Sequence, residues 1–188
     1  MGITLSTNSQ GVNNLNGYIT QKVAHGNLNI LSGLFANVNL DGAPLIRGVF
    51  GEIENSSLSL GLTYAHMAST GLHLQKNLRL NIFKDDKEAM DLNFFHNEVS
   101  LGRNVKFARY GGNLGWRCSK GHMISFGVSH TDLFNTTAME AAFKINLWKS
   151  KEGASSLDIS TNVAHFIKGP LEGHQDVMVT LAFSYSLG

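Results

Sequence analysis

Eight histidines, a cluster of acids, one cysteine and a run of cations are the residues of this chain with chemistry to offer. The histidines (His25, His66, His73, His96, His122, His130, His165 and His174) fall into no H-x-x-x-H or H-E-x-x-H pair, the spacings that present two ligands to one metal. Isolated histidines on strands predict surface or hydrogen-bonded roles, so no metal is expected; His66 and His73, across an expected turn, are a pair that could meet. Asp85, Asp86, Glu88 and Asp91 lie among Lys84 and Lys87, which reads as a solvated hairpin tip, whereas glycoside hydrolysis needs two acids facing each other across a cleft. His130-Thr131-Asp132 is tempting as a catalytic cluster, but adjacent residues on a strand point to opposite faces. Gly112 to Gly115 follows no strand that leads into a helix, as a phosphate loop would require. Cys118 is the single cysteine, which excludes an intramolecular disulfide and a thiolate cluster and suits a structural thiol. No catalytic residue, cofactor or metal is expected, and the chain does not read as an enzyme.

The electrostatic signal is local. The net charge is +1, too small for the whole chain to draw nucleic acid or anionic membrane to itself. Between Glu98 and Asp132, however, no acid occurs, while Arg103, Lys106, Arg109, Arg117 and Lys120 are interleaved with Phe107, Tyr110 and Trp116. If the segments flanking Gly111-Gly112 pair as a hairpin, these five cations could gather on one side and meet phosphate or lipid anions. Five cations are a modest footprint for single-stranded nucleic acid, and no nucleic-acid partner is expected.

The elements that must position these residues are strands. Apolar residues make up 43% of the 188 and charged ones 15%, with 20 glycines and 2 prolines, a composition that folds and turns often. Leu58, Leu60, Leu62 and Tyr64 alternate with Ser59, Gly61 and Thr63, and Val177 to Leu187 alternates throughout; a period of two is strand periodicity. The same pattern recurs at Leu78 to Ile82, Ile124 to Val128 and Phe143 to Leu147. Ala138 to Ala142 is the one interior stretch that could turn locally helical. Turn residues separate the runs at Asp41 to Pro44, Glu54 to Ser56, Asp85 to Lys87, Gly111 to Asn113, Ser119 to Gly121, Lys151 to Gly153 and Gly169-Pro170. Gaps this short favour antiparallel neighbours. The expected fold is all-β: an antiparallel up-and-down meander of about 10–12 strands, closed into a barrel or flattened into two sheets.

The chain also repeats itself. Ser59 matches Ser125, Gly61 matches Gly127, Asn81 matches Asn146, Asp91 matches Asp158 and Gly102 matches Gly169, at offsets of 65 to 67. A single domain over 1–188 is expected, with copies of one β unit at about 50–110 and 111–188 and amino-terminal strands over 1–49. The apolar faces of the copies are expected to meet in one shared interior.

Three blocks carry a family resemblance. Ser129-His130-Thr131-Asp132, Lys144-Ile145-Asn146-Leu147-Trp148-Lys149 and Ser156-Leu157-Asp158-Ile159 follow one another in the second unit, and Leu58-Ser59-Leu60 and Leu80-Asn81-Ile82-Phe83 answer them in the first. They resemble the glycine-rich repeats of the insect attacins, and His25-Gly26-Asn27-Leu28-Asn29 with Phe35-Ala36-Asn37 resembles the attacin amino-terminal segment, so the likeness covers residues 20 to 188. The resemblance implies a secreted antibacterial protein of insect innate immunity that acts on the Gram-negative outer membrane, without catalysis. The start, MGITLSTNSQG, lacks a signal-peptide layout, so a secreted form would have lost its leader. Asn55-Ser56-Ser57 and Asn135-Thr136-Thr137 are glycosylation acceptors by pattern.

Two mechanisms fit these readings. In the first, the five cations bind lipopolysaccharide or another envelope component at the membrane surface, with nearby aromatics against acyl chains. In the second, the alternation is turned around: a membrane barrel presents its apolar face to lipid and lines its lumen with Ser, Thr, Asn and Gly. A structural or ligand-binding β barrel without antibacterial action is the third possibility.

Overall fold

The computed structural model describes residues 1–9, 13–39, 46–67, 71–102, 105–151 and 154–186. Their strands are β1 (Gly2–Asn8), β2 (Asn13–His25), β3 (Leu28–Asn39), β4 (Ile46–Glu54), β5 (Leu58–Met67) and β6 (Gly71–Lys84). They continue with β7 (Glu88–Leu101), β8 (Val105–Cys118), β9 (Met123–Thr131), β10 (Thr136–Lys149), β11 (Ser155–Lys168) and β12 (Gln175–Ser186). Each pairs antiparallel with its sequence neighbours, and β12 pairs with β1 from Gly2 opposite Ser186 to Asn8 opposite Thr180. The meander is therefore a closed barrel with no free sheet edge along that seam.

Expected turns at Glu54 to Ser56, Asp85 to Lys87, Ser119 to Gly121 and Gly169-Pro170 fall between strands. At the tip between β6 and β7, the Asp85 carboxylate accepts the N–H groups of Lys87 (2.8 Å) and Glu88 (2.7 Å), an Asx turn. Asn55 closes the β4–β5 tip in the same way, accepting from Ser57 and Leu58 at 2.8 Å each. The turn read at Asp41 to Pro44 lies outside the described residues, as do Glu152 and Gly153.

Two local readings are corrected. Ala138 to Ala142 is extended within β10, where Ala138 pairs with Ser129 on one side and Phe166 on the other; tertiary pairing overrides the helical preference of alanine. Gly111 to Asn113 is no turn, because all three residues lie inside β8. Gly111 faces Phe95 and Gly112 faces Phe94 across the β7–β8 ladder. A Cβ on either glycine would come within 3.0 Å of the facing ring, so the glycines are there to seat aromatic side chains.

The same exchange recurs in β3 and β4, where Phe35 faces Gly48 and Phe50 faces Gly33. The two rings are 6.5 Å apart. A Cβ at Gly48 would meet the Phe35 ring at 2.6 Å and the backbone of Tyr64 closer still. Gly48→Val is expected to destabilise the barrel by about 1–3 kcal/mol through this overpacking, read as a lower urea midpoint. A substitution at Gly51, where a Cβ meets nothing within 4 Å, should leave the midpoint in place.

Where the apolar residues go departs from expectation. They do not meet in a shared interior. Only Ala65 and Ala138 are buried among the described apolar residues, whereas Leu62 (52% exposed) and Phe126 (55%) stand open, like large side chains on nearly every strand. The accessible surface is 11886 Å², against about 8,900 Å² for a compact monomer of 20.5 kDa. The physical reason is closure in this sense of curvature: of the two faces that alternation creates, the small and polar one is concave, and twelve strands enclose a lumen rather than a dense core.

Candidate functional site

Both faces of the wall are candidate sites, and the strand ladders position each side chain. On the concave face the charged residues form a network. Arg79 of β6 reaches past β5 to Glu52 (3.0 Å) and Glu54 (3.4 Å) of β4, and Lys22 of β2 lies 3.9 Å from the same Glu54. Arg109 of β8 reaches past β9 to Glu140 of β10. Strands two apart are about 10 Å from each other, and side chains bridge that gap only where the sheet curves toward them. The charges therefore face the lumen.

Four buried hydroxyl or carboxylate groups, on Ser59, Asp91, Ser129 and Asp158, anchor this network. Glu140 also accepts the Ser129 hydroxyl at 2.6 Å, and Glu52 accepts that of Ser59. Asp91, 3% exposed, holds Arg117 at 2.6 Å. Asp158 accepts from Asn146 (2.8 Å), Lys144 (3.1 Å) and Ser156 (3.2 Å). Cavities of about 430 Å³, lined by Arg109, Asn113, Ser125, Gly127 and Glu140, and about 250 Å³, lined by Glu52, Gly61, Thr63 and Arg79, open between these pairs.

On the convex face the register places Leu60, Leu62, Leu78, Leu80, Phe126, Phe143, Ile145, Val177 and Leu181 outward, in rows that run across adjacent strands. Phe126 meets Phe143 edge to face at 6.0 Å. Near the ends of β8, β10 and β12 stand Trp116, Trp148 and Tyr185, and the Trp116 indole N–H donates to Glu88 at 3.2 Å. Register shifts between Asn81 and Phe83 and between Asn146 and Trp148 place Phe83 opposite Met90 and Trp148 opposite Leu157. Each bulge thus turns an aromatic outward that strict alternation would have pointed inward. Aromatic girdles of this kind flank the lipid-facing band of membrane barrels.

Toward the other rim the convex face carries a polar row. His96, Tyr110 and His130 follow one another with ring centroids 6.4 and 5.3 Å apart. Lys76 and Glu98 pair beside them at 2.6 Å.

Of the five cations singled out in the sequence, the four that are described are not brought together. Arg103 lies outside the described residues. Arg109 and Arg117 face the lumen in ion pairs with Glu140 and Asp91. Lys106 and Lys120 are exposed at opposite ends of β8, roughly 45 Å apart along the strand direction. The hairpin that would have gathered them does not exist, because Gly111-Gly112 is mid-strand. His66 and His73 do not meet either: His66 pairs opposite Leu72 and His73 opposite Ala65, which puts the two imidazoles on opposite faces. His130 Nδ1 lies 2.9 Å from the Thr137 hydroxyl and Nε2 4.0 Å from Asp132. Among the described residues no three His, Cys, Asp or Glu side chains are grouped to hold a metal ion.

Sequence reading singled out neither Glu52 nor Glu140, took Glu54 only as a turn residue and Asp158 only as part of the repeat and family blocks, and read Arg79 and Lys144 as fitting lumen or solvent alike. A usable signal was present: each sits at the polar phase of an alternating strand, where a water-facing surface needs no such recurrence of acids and bases.

Comparison with known proteins adds the family and the fold. The family description "Attacin, C-terminal region" matches residues 68–187. Attacin-A of Glossina morsitans morsitans is 28% identical over 183 residues, covering 97% of this chain and 88% of that protein. Attacin-A of Drosophila melanogaster is 23% identical over 172 residues, covering 90% and 75%. Among solved structures, an outer membrane channel from Pseudomonas putida F1 superposes with a TM-score of 0.63 at 12% identity, over 98% of this chain and 92% of that one. The KdgM porin in complex with disordered oligogalacturonate gives 0.60 at 13% identity over the whole of both chains, and the NanC porin 0.61 at 10% over 99% of each. At these identities the likeness is one of fold.

Proposed function

Because this chain belongs to the attacin family, we propose that it is a secreted antibacterial effector of insect innate immunity that works by entering the Gram-negative outer membrane as a barrel. The observation that carries this reading is the convex face. Large apolar side chains stand open on adjacent strands all round the barrel, and exposed apolar patches far beyond a few hundred Å² mark a surface made for lipid or protein. Strands β2 to β12 run 9 to 14 residues, and a tilted strand needs about 9–11 to cross the hydrocarbon. Among the described residues no helix is long and apolar enough to cross a membrane, and the proposed crossing is made by strands.

Contact with lipopolysaccharide is the finer part of the proposal. Lys106 and Lys120 are exposed at opposite ends of β8, so an inserted barrel would offer one cation to the lipopolysaccharide leaflet and the other to the phospholipid leaflet, each beside anionic headgroups.

The test is growth inhibition of a Gram-negative strain, followed by fractionation of the treated cells. Protein that inhibits growth and stays in the outer membrane after high-salt washing supports insertion, and protein that washes off overturns it. Free lipopolysaccharide added beforehand should relieve inhibition by wild type and relieve it less for the Lys106→Gln, Lys120→Gln double variant; equal relief would remove those two lysines from the proposal.

A further inference from the structure

We infer that the lumen is a water-filled channel for ions and small hydrophilic solutes with little charge preference, and that the Arg109–Glu140 pair sets this indifference. The inference rests on the membrane-inserted reading above and extends it from the outer face of the wall to the inner one. Twelve strands at the usual spacing and tilt give a backbone radius of roughly 12 Å. Eight-stranded barrels are just filled by their own side chains, so a wider wall leaves space unless large residues cross it. Here the long inward side chains lie along the wall: Lys22, Arg79, Arg109, Arg117 and Lys144 each end on an acid of an adjacent or next-but-one strand, and the inward rings of Phe35, Phe50 and Phe95 lie against Gly48, Gly33 and Gly111 of the neighbouring strand. Small residues lie between the pairs, and the cavities of about 430 and 250 Å³ open there beside Ser125, Gly127, Gly61 and Thr63.

Those five cations are balanced by Glu52, Glu54, Glu140, Asp91 and Asp158, so the net field a passing ion meets is small and comes from Asp176, which also lines the larger cavity. The pairs are not equal in reach, however. Asp91 and Asp158 are 3% and 8% exposed and are tucked into the wall. Arg109 and Glu140 keep 42% and 33% of their side chains open, and Lys22 and Glu54 are open too, but of these two pairs it is Arg109 and Glu140 that line the larger cavity. Each would stay in place without the other's charge. Arg109 lies over the Phe95 ring at 5.5 Å from its centroid and donates to Ser129 at 3.3 Å, and Ser129 in turn donates to Glu140. Removing one charge therefore exposes the other to the lumen in a fixed position.

The measurement is the reversal potential of the protein in planar bilayers under a KCl gradient, with insertion scored on the same preparation by resistance to high-salt extraction from vesicles. Wild type is expected to reverse near zero. Glu140→Gln should favour chloride by about threefold and Arg109→Gln should favour potassium by about threefold, the effect of one unit charge about 5 Å from a path through water. Shifts of opposite sign support the inference. Protein that is extraction-resistant but carries no current overturns the channel and leaves the insertion reading standing. Current whose reversal potential moves in neither variant, or in the same direction in both, overturns the role of the pair. Protein that never resists extraction overturns the insertion reading and the channel with it.

Discussion

Phe126→Arg should weaken partitioning of the barrel into outer-membrane lipid by about 30- to 700-fold, the equivalent of about 2–4 kcal/mol for an arginine set mid-bilayer on the lipid face. Phe126 is mid-strand in β9, 55% exposed, opposite Leu114 on one side and Ala141 on the other. Its ring meets Phe143, and its cross-strand partners Leu114 and Ala141 carry no acid that an arginine could pair with. The same change on the surface of a water-dissolved protein would cost within about 0.5 kcal/mol, so the size of the effect separates the two environments. Vesicle flotation across a lipid titration measures it. Gly127, the next residue, faces the lumen, so Phe126→Arg probes only the outer face. An unchanged partition coefficient would mean that the apolar face does not meet lipid.

The second large effect is expected inside the wall. Arg117→Ala should destabilise the barrel by about 3 kcal/mol, because it strands the Asp91 carboxylate, 3% exposed and 2.6 Å from the lost guanidinium, without its counter-charge. Adding Asp91→Ala should recover most of that loss, since removing both members of a buried pair costs far less than removing one. Urea unfolding of wild type, both single variants and the double variant completes the cycle. Were Arg117 a free surface cation waiting for lipopolysaccharide, its removal would move binding and leave the urea midpoint within about 0.5 kcal/mol of wild type. The outcome therefore decides whether the acid-free stretch from Val99 to Thr131 works as a binding patch or as part of a lumen network.

The two hairpins that hold these acids are alike. Asn81 faces Asp91 and Asn146 faces Asp158, and each asparagine is followed by a register shift that sends an aromatic outward. This correspondence supports the proposal that residues 50–110 and 111–188 are copies of one unit.

The sequence by itself determined that this is an antiparallel β meander and which residues of each strand share a face. Leu58 to Tyr64 and Val177 to Tyr185 alternate in a way only a strand satisfies, and Asn55 and Asp85 announce tight turns through side chains that accept nearby backbone N–H groups. The family was legible in the same blocks, around His130, Asn146 and Asp158. Which face became concave was decided only by tertiary structure. A period of two is identical whether Leu62 points to a core or to lipid, because alternation separates the faces without giving the sign of the curvature. Register was equally hidden: Gly111-Gly112 reads as a turn until Phe95 and Phe94 are seen to lie against it, and strict alternation puts Phe83 and Trp148 on the polar face with Asn81 and Asn146 until the bulges are placed. Long-range pairing set the ion pairs too. Arg109 and Glu140 are 31 residues apart, and they meet because a closed ladder brings next-but-one strands within reach on its concave side alone.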